Sequence, residues 1–593
     1  MSFLIGTFGK YCTSKYANKL SLLAGATAID GTQQKTVFEQ GIVYSGQSKH
    51  KESQRNRIIP LYGSAGIFVG KIFDRQTYKP VQFDSDFTRK ILENPRILAK
   101  NIWGRYVGVL YNEQKKTFSL IRDPQGLSTL FYIQTDGGVL FSTDLKLLYE
   151  ATEEKPSLDM QFFAEHLVHR NQALPTTPFE QVRELLPGMS VTFTEEGLVS
   201  HELVWDLDSI KSLFIKNKDS FEEELLATLK SCVRAWTDDA SGVCVELSGG
   251  TDSSGVMLLL KEVLPQDKKL IAVNYTDSKT PSSNEIEYAQ EVADLCAAPL
   301  YFTDWQTATL LDPLPSTWFP NKPSSFLMFY NIRKQLQEYA QQNNCDEIMN
   351  GQGGDHLFLA PQPKQAIADY WLDHGFRGIR KPFNEIVGVY RSPWFAIGKE
   401  SCKNIMNYYR KIYKNPYQQP IEYLDKDFFA QLPLHDFYLN DKLVNFYPAK
   451  AAQIESMYQA VSYSERDQFA ATITHPLLSQ PLVEMGLTIP TYQSFADGFD
   501  RIFFRNAVSR IQKPKALWRK IKGQTTSSMS KSCAQQHQEI RDILFSGKLV
   551  QSGIVDKQWL DRELTRMRHG KVDKLWPIIH MLTGQVWINK WNL

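Results

Sequence analysis

The sequence predicts a two-domain protein, with a β-rich domain at 1–205 and an α/β domain at 206–593 that contains a doubly wound parallel sheet. Short apolar strands separated by turn sequences fill the first part of the chain. In the second part, strands alternate with amphipathic helices, which is typical of a parallel sheet in α/β layers. The length of 593 residues is sufficient for two complete hydrophobic cores.

Composition and charge argue against several classes of protein. The formal net charge of +2 is too small by itself to indicate a nucleic-acid or membrane partner. The seven cysteines form no Cys-x-x-Cys pair and are odd in number, which predicts free thiols in a reducing compartment. No apolar run has membrane-spanning length, and the N-terminus does not resemble a secretory signal. We therefore expect a cytoplasmic protein.

Strands of the first domain are expected at 117–121, 130–133 and 139–142. The segment 121–132, Ile-Arg-Asp-Pro-Gln-Gly-Leu-Ser-Thr-Leu-Phe-Tyr, resembles a stretch of class II glutamine amidotransferase domains. Residues 184–188 resemble the closing segment of that domain. The resemblance implies an Ntn-type β-sandwich.

The first domain departs from this family where its chemistry takes place. A glutaminase of this kind uses a cysteine that becomes the first residue once Met1 is removed, and this chain has Ser2 there. Ser2 could still act as a nucleophile through its own α-amine. The glutamine-binding segments of the family have no counterpart between Gly41 and Gly70. We therefore expect a degenerate domain that packs against the second domain or holds a partner, without supplying ammonia from glutamine.

A polar turn at 247–254 follows a predicted strand at 243–247 and precedes a helical pattern at 256–263. Backbone N–H groups at a helix start attract phosphate, and paired glycines allow close approach. Asp252 could hold Mg²⁺, and the serine hydroxyls could donate to phosphate oxygens. A Walker A loop is excluded, because the nearest segment, 65–72, lacks its first glycine and final Ser/Thr. The expected nucleotide-binding residues here are Leu247, Ser248, Gly249, Gly250, Asp252, Ser253 and Ser254.

This turn resembles the pyrophosphate loop of enzymes that split ATP between the α and β phosphates. The alternative is an ordinary Gly-Ser loop that opens a helix. The next predicted strand, 270–275, is expected to end at the same sheet edge, which would place Val273 and Asn274 beside the adenine ring.

A second glycine-rich segment, 346–358, resembles the one that ends Gly-Asp-Glu-Leu-Phe in asparagine-synthetase-like enzymes. The resemblance implies that the main chain at Gly351 and Gln352 approaches the ligand and that Asp355 is a second carboxylate for Mg²⁺. His356 stands where that family commonly has glutamate, and it is either a polar cap or a proton-transfer group.

Residues 474–484 and the basic residues after them separate subfamilies. Asparagine synthetases have Arg-x-Pro-Phe-Leu-Asp there, whereas this chain has His-Pro-Leu-Leu-Ser-Gln-Pro-Leu-Val-Glu, and Arg501 replaces a lysine. These departures resemble the isopeptide-forming macrocyclases of lasso-peptide biosynthesis. The run 501–531 contains nine basic residues and no acid, so it is either a pyrophosphate-binding cluster or a solvated, nucleic-acid-binding face. In the first case Lys522 is the best candidate, followed by Arg519 and Arg501.

The resemblance implies an AMP-forming ligase that uses ATP and Mg²⁺, with Asp252, Asp355, Arg501 and Lys522 as catalytic residues. It would adenylate an Asp or Glu side chain of a leaderless precursor peptide and close a lactam ring with the peptide's α-amine. Its partners would be that core peptide and the leader peptidase and leader-recognition protein of the pathway, with no nucleic acid and no membrane.

Three alternatives remain: a β-lactam synthetase, an ammonia-dependent asparagine synthetase, and an inactive ATP-binding scaffold. β-Lactam synthetases, by resemblance, need a Tyr–Glu pair to activate an amide-like nitrogen. The sequence alone places no such pair, which favours an amine nucleophile with its ordinary pKa of about 7.7–8.0.

Overall fold

The computed structural model of the protein contains antiparallel sheets followed by a parallel sheet. It describes residues 2–30, 32–48, 57–169, 173–205, 207–210, 214–277, 285–304, 310–358, 363–390, 392–413, 422–430, 435, 437–462, 469–520, 526–569, 571 and 573–593. The antiparallel strands are β1 (Ser2–Phe8), β2 (Gln34–Phe38), β3 (Gly41–Gln47), β4 (Arg57–Pro60), β5 (Gly66–Asp74), β6 (Ile102–Asn112), β7 (Thr117–Arg122), β8 (Phe131–Thr135), β9 (Gly138–Ser142), β10 (Arg183–Glu184), β11 (Met189–Thr194) and β12 (Gly197–Leu203). The parallel strands are β13 (Gly242–Glu246), β14 (Lys269–Thr276), β15 (Leu300–Asp304), β16 (Glu347–Met349) and β17 (Thr472–Thr474).

Most helices belong to the second half of the chain. The helices before residue 206 are α1 (Lys10–Thr27), α2 (Ser85–Glu93), α3 (Ile97–Asn101), α4 (Leu145–Ala151) and α5 (Met160–Val168). Those after it are α6 (Lys218–Thr237), α7 (Thr251–Val263), α8 (Ile286–Leu295), α9 (Tyr330–Gln342), α10 (Gly354–Phe358), α11 (Ala366–His374), α12 (Arg380–Tyr390), α13 (Trp394–Tyr409), α14 (Lys426–Ala430), α15 (Asn440–Leu443), α16 (Pro448–Ser462), α17 (Gln480–Thr488), α18 (Ile502–Ser509), α19 (Thr526–Gln535), α20 (His537–Phe545), α21 (Lys548–Gln551), α22 (Lys557–Arg568) and α23 (Leu575–Lys590).

The N-terminal domain is an antiparallel β-sandwich, as the sequence predicts. One sheet has the order β10-β8-β9-β1-β3-β2, and the other has the order β12-β11-β7-β6-β5-β4. Apolar side chains from the two sheets share one core, in which the Phe8 and Phe118 rings stack with centroids 4.8 Å apart. The predicted strand at 130–133 begins one residue later in the structure, at Phe131.

The second domain is built on the parallel sheet β15-β14-β13-β16-β17, in which β13 is central. Alternate residues of β13 point to opposite faces of the sheet. Val243 and Val245 pack in the core formed with α6 and α7, whereas Cys244 packs with Leu336 of α9 on the other face. Helices therefore cover both faces, and the prediction of a doubly wound parallel sheet is confirmed.

The order of the strands creates a switch point between β13 and β16. The chain proceeds from β13 to β14 and β15 on one side and then returns to β16 and β17 on the other. Loops that leave the carboxyl ends of β13 and β16 therefore diverge and leave a crevice, which is where doubly wound sheets bind ligands. The predicted turn at 247–254 follows β13, and the predicted residues Gly351, Gln352 and Asp355 follow β16.

The two domains share an extensive contact. The Lys71 ammonium donates to the Trp236 carbonyl oxygen over 2.6 Å, and the Gln480 amide donates to the Ala99 carbonyl oxygen over 2.6 Å. The Trp103 ring lies 5.7 Å from the Trp236 ring within the core of the second domain. Because this core continues across the contact, the expected boundary after residue 205 stays a prediction. In the part of the chain that the structure describes, no helix is both long and apolar enough to cross a bilayer.

Candidate nucleotide-binding and active site

The predicted phosphate turn joins the carboxyl end of β13 to the start of α7. Gly249 has a φ of 76°, and a Cβ there would lie 2.7 Å from the Glu285 carbonyl oxygen, so the turn requires glycine. The Ser248 and Ser253 hydroxyl oxygens are 3.0 Å apart, and the Gly250 N–H donates to Ser248 Oγ over 3.2 Å. These bonds fix a compact turn. Since the N-cap residue Gly250 has no side chain, the first N–H groups of α7 are available to an anion.

Two buried polar atoms beside this turn have no hydrogen-bond partner among the described residues. They are the Ser254 hydroxyl oxygen and the Asn274 side-chain oxygen. The Asn274 amide is oriented by its N–H, which donates to the Leu247 carbonyl oxygen over 2.6 Å, and the Leu247 N–H donates to the Val273 carbonyl oxygen over 2.8 Å. Because buried polar atoms are normally satisfied, two such atoms in one crevice indicate a polar ligand.

The glycine-rich loop after β16 contacts the turn directly. A Cβ at Gly351 would lie 2.3 Å from the Ser253 backbone nitrogen, and one at Gly354 would lie 2.5 Å from Asp252 Oδ1. No side chain fits at either position without moving the turn. Asp355, the second residue of α10, has a half-exposed side chain. The family resemblance implied that the phosphate turn and the glycine-rich loop lie together, and in the structure they are in contact.

Arg501 connects the same turn to the start of α18. Its Nη1 donates to Asp252 Oδ2 over 2.6 Å, and its Nε donates to Asp500 Oδ1 over 3.1 Å. Arg505 Nη2 also donates to Asp500 Oδ1, over 2.7 Å. Arg501 itself has a φ of 52°, in the left-handed region, which costs a residue other than glycine roughly 1–3 kcal/mol. Such strain clusters at functional sites, where the surrounding contacts maintain it.

The mutual attraction of opposite charges explains why the buried side chains of Arg501 and Asp500 remain charged. Burial by itself lowers the pKa of Arg501, but the charges of Asp252, Asp500 and Asp355 outweigh burial and raise it above its usual value. Burial also acts to raise the pKa of Asp500, and Arg501 and Arg505 together lower it instead. The structure thus brings three predicted catalytic residues, Asp252, Asp355 and Arg501, into one electrostatic cluster.

Arg519 contacts the turn from its other side. Its Nη1 donates to the Gly249 carbonyl oxygen over 3.1 Å, and its guanidinium lies 4.7 Å from the centre of the Tyr288 ring while it forms an ion pair with Glu285. Lys522, the predicted first candidate for pyrophosphate, lies outside the described residues. Its role stays a prediction.

Comparison with protein families bears directly on this crevice. The family described as "Asparagine synthase" matches residues 224–591, which is more than half of the chain. The chain belongs to the asparagine synthase family. The family described as "Glutamine amidotransferase domain" matches residues 93–204, within the β-sandwich.

Individual relatives of this asparagine synthase family member are distant. The "Amidase chry2" of Gibberella zeae is 23% identical over 273 residues, which cover 43% of this chain and 39% of the amidase. "Asparagine synthetase [glutamine-hydrolyzing] 3" of Bacillus subtilis is 26% identical over 159 residues, covering 26% of this chain and 25% of that protein. "Asparagine synthetase [glutamine-hydrolyzing] 1" of the same organism is 20% identical over 264 residues, covering 44% and 40%. The chain thus spans less than half the length of each relative.

Membership of the asparagine synthase family implies the use of ATP, and the residues present fit a nucleotide. Ser254 and Asn274 present unsatisfied buried atoms, and the glycines at 351 and 354 let the second loop pack directly against the phosphate turn. Within the described ranges, no group of three or more His, Cys, Asp or Glu residues could hold a metal alone. Asp252 and a neighbouring carboxylate still fit Mg²⁺, because this ion takes few protein ligands and is bound mainly through substrate phosphates.

A buried polar network under the crevice was not predicted from the sequence. The Asn350 amide donates to Glu246 Oε2 over 3.1 Å, and His475 Nδ1 lies 2.8 Å from Asn350 Oδ1. Burial, together with Arg333 and Arg105, lowers the pKa of His475 to about 3, so the imidazole is neutral and donates through Nδ1. The network ties β13, β16 and β17 together below the ligand-binding loops. The sequence gives little indication of this network, because the only local feature of Asn350 is that it precedes a glycine.

Two further predicted residues contact α16. The Gln352 side-chain amide donates to the Ala460 carbonyl oxygen over 2.5 Å, and its main-chain N–H donates to Asn350 Oδ1 over 3.1 Å, so the residue anchors the loop. His356 Nδ1 lies 2.5 Å from Ser456 Oγ, and its Nε2 lies 3.7 Å from Asp355 Oδ1. His356 therefore connects α10, which contains Asp355, to α16, and this contact is consistent with a polar cap.

Ser2 lies in the β-sandwich, and Asn321 and Lys322 contact the sandwich from the second domain. Ser2 is 2% exposed at the start of β1, and its role as a nucleophile stays a prediction. The Leu145 N–H donates to Asn321 Oδ1 over 3.0 Å, and Lys322 forms an ion pair with Glu184. Asn321 and Lys322 thus attach the second domain to the sandwich.

The structure contains a Tyr–Glu pair that the sequence alone did not place. The Tyr413 hydroxyl donates to Glu455 Oε2. Glu455 lies in α16 with no exposed surface, and burial raises the pKa of its carboxyl to about 7 although the bond from Tyr413 acts to lower it. The next residue, Ser456, contacts His356. A catalytic role for this pair is untested, so the preference for an amine nucleophile stays a prediction.

Proposed function

We propose that this protein is an ATP-dependent macrocyclase that forms an isopeptide bond within a leaderless peptide, as lasso-peptide cyclases do. The observation that carries the proposal is the meeting of Asp252, Arg501 and the Asp355 loop at the switch point of a chain in the asparagine synthase family. The departures at 474–484 and Arg501 resemble the cyclases, and they are the reason for preferring a peptide substrate to free aspartate.

The first chemical step activates a carboxylate, because a carboxylate does not react with an amine at neutral pH. An oxygen of an Asp or Glu side chain attacks the α phosphorus of ATP, the bond from that phosphorus to the bridging oxygen breaks, and pyrophosphate leaves. The turn at 247–254 would bind the departing phosphates through the N–H groups of α7. Arg501 and Arg519 would neutralise the charge that develops there.

The second step forms the amide. The neutral α-amine of the same peptide attacks the acyl carbon, the bond to the phosphate oxygen breaks, and AMP leaves as the amine loses its proton. An α-amine has a pKa of about 7.7–8.0, so a useful neutral fraction exists without a strong base. Holding both groups in one site contributes most of the acceleration.

Magnesium, when bound, would neutralise phosphate charge and orient the phosphates for in-line attack. Asp252 and Asp355 are the residues that would hold it. In the structure Arg501 already engages one oxygen of Asp252, and this contact orients the carboxylate. The closed turn and the apolar surroundings of α7 would limit the access of water to the activated acid.

Reconstitution tests the proposal. The full chain is incubated with ATP, Mg²⁺ and a leaderless peptide that carries a free α-amine and an internal Asp or Glu. We expect the peptide to lose the mass of one water while AMP and pyrophosphate appear, and Asp252→Asn and Asp355→Asn to abolish turnover without unfolding the protein. Release of ADP and phosphate would reject the proposal.

A second candidate, a β-lactam-synthetase-like activity, is favoured by the Tyr413–Glu455 pair, whose glutamate lies in α16 next to Ser456, the residue that contacts His356. In that case Glu455→Gln would abolish ring closure but leave carboxylate-dependent exchange of pyrophosphate into ATP intact. A macrocyclase that uses an ordinary α-amine would retain both activities. Formation of asparagine from free aspartate and ammonia would indicate an asparagine synthetase, and absence of all exchange would indicate an inactive scaffold.

We also infer that the core peptide is delivered by a leader peptidase and a leader-recognition protein of the same pathway. This part rests on the cyclase resemblance alone. Co-purification of the three proteins with the precursor would support it.

A further inference from the structure

A buried hydroxyl beside the crevice belongs to Tyr390, the last residue of α12. Its oxygen is buried and has no hydrogen-bond partner among the residues that the structure describes. Its ring packs against Phe495, with centroids 5.9 Å apart. α12 also contacts the following turn, where the Gly498 N–H donates to Glu385 Oε2 over 3.4 Å. The helix is therefore anchored to the segment that leads into Arg501.

The electrostatic surroundings of Tyr390 are those of the candidate active site. Burial raises the pKa of the Tyr390 hydroxyl, the charge of Asp500 raises it further, and the charge of Arg501 opposes both. The phenol thus stays protonated and can donate a hydrogen bond next to a cation. Asp500 Oδ1 already accepts hydrogen bonds from Arg501 Nε and Arg505 Nη2.

We propose that Tyr390 binds the reacting groups, with its hydroxyl donating a hydrogen bond to an oxygen of the activated acyl group or of the α-phosphate beside Arg501. This inference rests on the proposed function, and it gives α12 a direct role in binding the reacting groups. An anionic oxygen is the acceptor that fits, because Arg501 attracts negative charge to this place and the phenol supplies a proton donor.

The physical reason for the assignment is the cost of leaving such a group unsatisfied. A buried hydroxyl without a partner destabilises a fold relative to a phenylalanine of the same shape. A tyrosine that serves packing alone would therefore be better replaced by phenylalanine at this position. A ligand that accepts a hydrogen bond from the Tyr390 hydroxyl removes this desolvation cost in the complex. The hydroxyl therefore strengthens ligand binding, although it lowers the stability of the ligand-free protein.

This reasoning predicts opposite effects on stability and binding for Tyr390→Phe. The melting temperature should be equal to or higher than that of the wild type, because no hydrogen bond is lost. Affinity for a β-aspartyl sulfamoyl adenosine, a stable mimic of the acyl-adenylate, should fall roughly ten- to a hundred-fold, as expected for a lost bond to a charged group. Calorimetric titration of the full chain measures it.

The matched control is Tyr370→Phe in α11. The Tyr370 hydroxyl donates to the Arg377 carbonyl oxygen over 2.6 Å at the protein surface. This variant should have an equal or lower melting temperature, because a hydrogen bond is lost, and it should bind the mimic as the wild type does.

AMP serves as a second probe that separates the two acceptors. Weaker binding of both AMP and the mimic to Tyr390→Phe assigns the α-phosphate, and weaker binding of the mimic alone assigns the acyl oxygen. Unchanged affinity for both probes, or a melting temperature that falls below that of the wild type, would overturn the inference. If the wild type binds the mimic but shows no carboxylate-dependent exchange of pyrophosphate into ATP, the proposed function fails while the assignment of Tyr390 stands.

Discussion

Replacing Gly351 by alanine should separate the two loops that form the crevice. The added Cβ would lie 2.3 Å from the Ser253 backbone nitrogen and 2.6 Å from the Asp252 carbonyl carbon. Both atoms belong to the backbone at the first turn of α7, so no side-chain rotation can relieve the contact. Either the phosphate turn or the glycine-rich loop must move.

The size of the movement follows from the distances. An ordinary contact needs 3.4 Å or more, so the loops must separate by about 1 Å. A misplacement of that size costs on the order of a hundred-fold in rate when it affects groups that position the reactants. Overpacking of this kind also costs typically 1–3 kcal/mol of stability.

The assay is carboxylate-dependent exchange of labelled pyrophosphate into ATP, run together with thermal unfolding. Gly398→Ala in α13 is the control, because a Cβ there has no atom within 4 Å of its position. We expect the control to be fully active and slightly more stable, since alanine is the better helix former.

An exchange rate for Gly351→Ala within a factor of two or three of the wild type would refute the close contact of the two loops. The same conclusion would follow if Gly398→Ala lost as much activity. Loss of activity in Gly351→Ala with an unchanged fold would support the geometry of the crevice.

Three further predictions concern single side chains. Ser254→Ala should leave thermal stability unchanged, because its hydroxyl is unpartnered among the described residues, and should weaken binding of a non-hydrolysable MgATP analogue about ten-fold in calorimetry; unchanged affinity would remove this hydroxyl from the site. Arg501→Lys should reduce exchange about ten-fold, because one ammonium cannot replace the two N–H groups that contact Asp252 and Asp500, and wild-type exchange would contradict this. Burial raises the pKa of Glu455 from 4.5 to about 7, so the carboxyl binds its proton more tightly in the native protein than in the unfolded one. The protonated carboxyl therefore stabilises the fold fully below pH 4.5, and this stabilisation is lost as the pH rises through about 7. Glu455→Gln should remove this dependence, roughly 3 kcal/mol in urea unfolding, and a pH-independent difference from the wild type would exclude the raised pKa.

Local sequence patterns were sufficient to predict a β-rich first domain and a parallel sheet in the second, while the β-sandwich was implied by the family resemblance. The strand and helix around the phosphate turn are neighbours in the chain, and their apolar periodicity is visible in a short window. The alternation of strands and helices after residue 206 likewise predicts the parallel sheet. The doubly wound arrangement then brings the turn at 247–254 and the glycine-rich loop after β16 to the same edge of the sheet, where Gly351 and Gly354 pack against the turn.

Contacts between distant residues could not be predicted in this way. Tyr413 follows the end of α13, whereas Glu455 lies in α16, and neither belongs to a motif. Tyr390 is one of many aromatic residues between 361 and 450, and its position beside Arg501 depends on how α12 packs. Only the folded arrangement reveals which polar atoms are buried without a partner.

The contact between the sandwich and the synthetase domain has a practical consequence for anyone who shortens the protein. Deletion of residues 1–205 would remove the Lys71 ammonium that donates to the Trp236 carbonyl oxygen and leave the Glu484 carboxylate without Arg75. It would also uncover the indole of Trp236, which is 1% exposed in the intact chain. A truncated chain would thus expose apolar surface near α17, and it would be prone to aggregate. Insolubility of such a fragment would therefore give no information about glutamine hydrolysis by the N-terminal domain.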